Sequence, residues 1–189
     1  MHMGTSTVVR KHFTIDEFQQ IAAAGVFGED ERFELLEGEI VQMSPLGPQH
    51  AACVDRLNRS LQRLVQDQAI VRVQNPIRLG EYSQPQPDVA LVQPRDDFYA
   101  GGHPEPEDLL LLIEVSESSL AYDRDVKLPL FARAGIPEVW LVALVPQVVE
   151  VYRGPSEDGY GEKRTLRRGE TIVPLLMPAV KLAVEQILG

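Results

Sequence analysis

From Leu109 to Val115 the chain has seven residues, six of them apolar, and the one exception is Glu114, next to last in the run. The run is far short of the roughly 20 residues needed to cross a bilayer. It lacks the alternation of a half-exposed strand, so it reads as a central strand covered on both faces. A fold built on it needs a layer of structure on each side of a sheet. The carboxylate constrains the chain further. Burying an unpaired ion costs several kcal/mol even after relaxation, on the order of a domain's whole net stability. The rest of the chain must therefore bring Glu114 a cation, a proton or hydrogen-bond donors.

A second strand supplies another acid. Pro87-Asp88-Val89-Ala90-Leu91-Val92 begins with a proline, tolerable at the first residue of a strand, and continues with β-branched and small apolar residues. Asp88 is then at the mouth of a buried strand. Paired strands lie about 4.8 Å apart, so if these two are neighbours Asp88 and Glu114 line a single oxygen-rich site. Such a site suits a hard divalent cation, because Mg²⁺ takes one or two carboxylates and keeps several waters. The segment Tyr122 to Ala134 reads as a basic amphipathic helix, with Asp123 and Lys127 four residues apart on one face. Lys127 is the nearest candidate cation for Glu114.

The remaining segments fill out an α/β pattern. Thr14 and Glu17 form a capping-box signature for a helix reaching Ala24. Phe33 to Leu36 and Glu39 to Met43 read as a hairpin around Glu37-Gly38, which makes Glu34 and Glu39 the acids to watch there. A helix is expected from about Gln49 to Gln68, with Val54, Leu57, Leu61, Leu64 and Val65 on one face. Strands are expected at Ala69 to Val73, Pro76 to Leu79, Glu138 to Leu144 and Val148 to Arg153. Gln93 to Asp108 and Gly154 to Glu162 read as loops, Thr165 to Val173 as a weak edge hairpin, and Ala179 to Leu188 as a closing helix. Pro129 is two residues after Lys127, so the regular helix is expected to start near Asp123 or Asp125, with one of them as its cap.

Length and composition set the outer bounds. Residues 1–12 read as a disordered or tag-derived start, and 13–189 as one domain. The single cysteine, Cys53, rules out an internal disulfide and fits a reducing compartment. With neither a membrane span nor a secretory signal visible, a cytoplasmic location is expected. The net charge of −10, from 18 basic and 28 acidic residues, is unusual for a nucleic-acid binder. Arg56, Arg59 and Arg63 recur at helical spacing, so a local basic strip is still compatible with that balance. The chain has no Gly-x-Ser-x-Gly elbow, phosphate-binding glycine loop or paired-cysteine metal motif.

Several stretches together resemble one family. These are Phe33-Glu34-Leu35-Leu36-Glu37-Gly38-Glu39-Ile40-Val41-Gln42-Met43-Ser44-Pro45 followed by His50, then Pro87-Asp88, then Ile113-Glu114-Val115-Ser116, then Asp123 and Lys127, and Phe131 through Val142. They resemble the Uma-type family of bacterial endonucleases within the PD-(D/E)XK restriction-endonuclease-like superfamily. The resemblance implies a restriction-endonuclease-like core, a mixed and mostly antiparallel sheet flanked by helices. It implies a metal-dependent endonuclease that hydrolyses DNA phosphodiester bonds with Mg²⁺ or Mn²⁺. Asp88 and Glu114 match the metal-binding acids, with the Val115 carbonyl as a further oxygen ligand. Lys127 matches a lysine that has migrated from the position two residues after the second acid, occupied here by Ser116. Glu34 matches an additional catalytic acid, and His50 and Ser116 are expected to contact substrate. A homodimer is expected by analogy, since cutting both strands of a duplex needs two sites. The chain departs from the family at Ala143, where an aspartate is common, at Ser116-Glu117-Ser118 in place of Ser-Pro-Ser, and at Pro129. These departures and the acidic balance leave a rival reading: a catalytically silent module on the same fold that binds nucleic acid or protein.

Overall fold

The computed structural model describes residues 9–28 and 31–189. Most of the expected disordered start, residues 1–8, lies outside these. The chain is already tied down at His12, whose Nδ1 is 2.7 Å from the Glu37 carbonyl. The Phe13 N–H donates to the Gly38 carbonyl. Helix α1 (Ile15–Ala23) opens with the reciprocal Thr14–Glu17 cap. It leads to the hairpin of β1 (Phe33–Leu36) and β2 (Glu39–Gln42). The turn residues Glu37 and Gly38 both have positive φ, 49° and 82°, as a two-residue hairpin turn demands. A side chain on Gly38 would also collide with His12.

Helix α2 (Pro48–Val65) is followed by β3 (Ile70–Val73), β4 (Val89–Val92) and β5 (Leu109–Ser116). A helical segment then runs through α3 (Leu120–Tyr122), a wide π turn (Asp123–Lys127) and α4 (Leu128–Arg133). Strands β6 (Glu138–Ala143), β7 (Val148–Ser156) and β8 (Gly159–Leu166) complete one sheet of order β3-β4-β5-β6-β7-β8. Every pairing is antiparallel except β5 with β6, which the intervening helix makes parallel. A small ladder of β9 (Thr171–Ile172) with β10 (Leu182–Ala183), then α5 (Val184–Leu188), closes the fold. Among the described residues no helix is long and apolar enough to cross a membrane.

The apolar run at Leu109 is central, and its alternation is divided between two cores. Leu111, Ile113 and Val115 face α2 and α5 together with Leu57, Leu61, Trp140 and Val142. Leu112 faces α4 with Phe131, Ala90, Val139 and Leu141. Each fully buried aliphatic side chain contributes on the order of 1.5–3 kcal/mol, so these two layers account for much of what orders the sheet. By the same alternation, Glu114 projects to the α4 side.

Some expected boundaries shift. The segment Pro76 to Leu79 forms only an isolated bridge, Leu79 to Ser83. The polar stretch from Gly154 is not a loop but the tip of the long β7–β8 hairpin, held by its ladder and by Tyr160, which packs against the core and donates to the Ile136 carbonyl. The closing helix is only Val184–Leu188, because Leu182 and Ala183 pair with β9. The helix after β5 starts at Leu120, not at Asp123 or Asp125. The Leu128 N–H donates to the Asp123 carbonyl five residues back. This widened turn comes directly before Pro129, whose ring in a regular helix would strike the Asp125 carbonyl. The proline is accommodated without breaking the segment that carries Lys127.

Candidate active site

Register brings the two acids together. Val89 pairs with Ile113, so one step further along the ladder Asp88 stands opposite Glu114. The Asp88 N–H donates to Glu114 Oε2 at 3.3 Å, and the Val115 N–H donates to Asp88 Oδ2 at 2.9 Å. Lys127 reaches over from the π turn, its Nζ 3.2 Å from both Glu114 Oε1 and Glu34 Oε2. Glu34 also accepts the Gln86 N–H at 3.2 Å. From the first turn of α2, His50 Nε2 approaches Asp88 Oδ2 at 3.0 Å. Asp88, Glu114, Lys127, Glu34 and His50, all buried, line one cleft of about 340 Å³ together with Val115, Glu117, Tyr122 and Asp123.

Ser116 is placed differently. It is 1% exposed, is not part of the cleft wall, and its hydroxyl donates to Asp123 Oδ2 at 2.6 Å. Ser119 donates to the same oxygen at 2.7 Å. Ser116 shares the α4-facing side of β5 with Glu114, but at the last residue of the strand its hydroxyl is taken up by Asp123 at the root of the helix, which it orients. Ala143 pairs with Ser116 across the parallel ladder and is wholly buried, so that position carries no acid into the site.

Three participants lack a sequence signal. Gln74 is opposite Asp88 at the end of the β3–β4 ladder and donates from Nε2 to Asp88 Oδ1 at 3.2 Å. Only the pairing register marks it, and a lone glutamine gives no motif. Glu117 reaches the start of α2 so closely that a side chain on Gly47 would meet its carboxylate. Arg124, next to Asp123, forks onto Glu150 of β7 at 3.0 and 2.7 Å and clamps the π turn to the sheet.

The electrostatics follow from one buried lysine shared among several acids. Burial pushes Glu114 up to about 8, and the charges of Asp88, Asp123 and Glu34 add to that push against the opposing effect of Lys127. Burial disfavours the Lys127 ammonium, yet Glu114, Glu34 and Asp123 outweigh it and hold the lysine protonated well above its ordinary range. Burial likewise raises Asp88, but the His50 contact, the Val115 N–H and Gln74 reverse this and keep it below the usual carboxylate value. For His50, burial is outweighed by the hydrogen bond and charge of Asp88, so its proton is held more tightly than usual.

This donor set suits a hard cation. The wall is rich in carboxylate oxygen, and its negative charge adds to burial in raising Glu114. Among the described residues no three His, Cys, Asp or Glu side chains are grouped as a ready-made cage. The arrangement is the sparser one that Mg²⁺ takes, one or two carboxylates with carbonyl and water completing the shell.

A mixed sheet with acids on two adjoining strands and a lysine facing them defines a restriction-endonuclease-like protein, as the resemblance implied. The chain belongs to the Uma2 family, whose model, described as "Putative restriction endonuclease", matches residues 15–185. Among solved structures, the chain is similar to a crystal structure from Anabaena variabilis ATCC 29413 described as "a putative nuclease belonging to DUF820". The TM-score is 0.71 at 19% identity, over 93% of this chain and 97% of that one. No curated protein matches the chain.

Proposed function

We propose that this chain is a metal-dependent endonuclease that hydrolyses DNA phosphodiester bonds. The observation that carries the reading is the convergence of Asp88, Glu114 and Lys127, from two strands and a helical turn, on one cleft. Asp88 and Glu114, with the Val115 carbonyl, would hold Mg²⁺ or Mn²⁺. A bound divalent ion lowers the pKa of its water and neutralises charge developing on the phosphate. Lys127 orients the attacking water or shares that developing charge. Glu34 keeps the ammonium in place, and His50, fixed through Asp88, offers a contact to the phosphate. Water attacks phosphorus, the bond to the leaving oxygen breaks, and one strand is cut.

One observation favours the silent-module reading. Lys127 already pairs with both Glu34 and Glu114, and buried ion pairs persist in proteins without catalysis. Cleavage assays separate the two. On the nuclease reading a chelator abolishes cutting, and Asp88→Ala, Glu114→Ala and Lys127→Ala each abolish it while the variants stay folded by circular dichroism. Cutting by any of the three at the wild-type rate excludes the assignment. A Mg²⁺ titration adds a binding test: a true site gains thermal stability by mass action, and a closed ion pair does not.

A further inference from the structure

We propose, resting on the nuclease reading above, that the substrate enters this cleft as an unpaired strand with a base stacked on Tyr122, and not as a duplex. A duplex presents phosphates on both strands, and proteins that hold one neutralise several of them with lysine and arginine. The cleft wall is the reverse. It carries the carboxylates of Glu34, Asp88, Glu114, Glu117 and Asp123. Among the described residues lining it, Lys127 is the only lysine or arginine, and it is spoken for by two of those acids. Of the nearby cations, Arg124 is engaged with Glu150 and Arg133 with Glu37, and Arg32 donates to Gln86 Oε1 at 3.2 Å on the cleft's edge. The exposed Arg59 and Arg63 are nine and thirteen residues along α2 from His50, roughly 14 and 20 Å from the cleft end of that helix.

The mouth offers apolar surface instead. Tyr122 and Leu46 line the cleft while 36% and 41% exposed, and Val41, Met43 and Pro45 continue the same rim. An aromatic side chain beside an acidic pit suits single-stranded nucleic acid, whose bases stack on aromatic rings without regard to sequence. Only the phosphate being cut then needs to reach the acids. The cleft volume of about 340 Å³ falls at the small end of sites that enclose one small ligand, roughly 300–1,000 Å³. A single-stranded substrate also removes the reason for pairing two sites in a dimer.

The test is fluorescence anisotropy on the full chain with labelled oligonucleotides of one sequence: single-stranded, blunt duplex, and duplex with a single-stranded flap. Ca²⁺ replaces Mg²⁺ so that binding is read without turnover. The single strand and the flap are expected to bind at least tenfold more tightly than the duplex. Tyr122→Ala should lower single-strand affinity roughly tenfold and Tyr122→Phe should preserve it, as stacking on one ring predicts. Duplex binding as tight as single-strand binding, or a Tyr122→Ala variant that binds the single strand unchanged, overturns this inference and leaves the nuclease reading standing. Binding to none of the three overturns both.

Discussion

Replacing Lys127 with methionine keeps most of the side-chain volume and removes the ammonium from between Glu34 and Glu114, 3.2 Å from each. The position is 5% exposed, so water cannot take the ammonium's place without opening the fold. Removing one partner of a buried pair typically costs about 3–5 kcal/mol, a large share of the roughly 5–15 kcal/mol that holds a domain together. The loss should depend on pH. Glu114 is already pushed up to about 8 with the lysine present, and without it Glu114 holds its proton to still higher pH. An acid whose pKa is higher folded than unfolded makes stability fall as pH rises between the two values, by up to about 1.4 kcal/mol per pH unit. Below about pH 8 both proteins keep Glu114 protonated and decline together, so the variant's deficit against wild type widens above that pH and is smaller at pH 7 than at pH 9.5. Urea unfolding with chelator present reads this directly, with the single and fully buried Trp140 as the fluorescent probe. A deficit below about 1 kcal/mol at pH 9.5, or an equal deficit at both pH values, refutes the claim that Lys127 holds the Glu114 carboxylate.

Two further outcomes follow from the same geometry. Metal-free wild-type protein should lose stability as pH rises from about 5 to 8, because Glu114 and His50 both hold protons in the folded state that the unfolded chain has released. Divalent cation should flatten that decline by binding the deprotonated site, which paired melts with EDTA and Mg²⁺ would reveal. Ser116→Ala should cost about 1–3 kcal/mol by leaving Asp123 short of a buried donor, while KM for the nucleic acid stays at the wild-type value. A raised KM with unchanged stability would instead put Ser116 in contact with substrate.

Much of this site was legible in the chain because its cost was legible. Glu114 inside an apolar run demanded a partner and Pro87 marked where a second strand begins, so Asp88 was a candidate neighbour, and the pairing of the two strands supplied the rest. The hairpin at Glu37-Gly38 was readable for a similar local reason. What stayed hidden depends on register and on side-chain direction. Ser116 looks like a site residue because it shares a strand face with Glu114, yet its hydroxyl is spent on Asp123 behind the cleft wall. Gln74 is opposite Asp88 only because β3 and β4 pair as they do. The π turn could not be read from the sequence, since Pro129 signals only that regular helix is difficult there, and the chain met that difficulty by widening the turn rather than by starting the helix later. The glycines and charges of the β7–β8 tip suit a loop, and the ladder and the Tyr160 anchor that order it depend on pairing the sequence does not display.

The central claim is that Asp88 and Glu114 hold one divalent cation beside Lys127. A crystal soaked in Mn²⁺ tests it through the metal's anomalous scattering. The account predicts a single peak within roughly 2.1–2.3 Å of a carboxylate oxygen from each acid, near the Val115 carbonyl. Strong diffraction from a soaked crystal with no peak in this cleft, or with the peak on other residues, contradicts it.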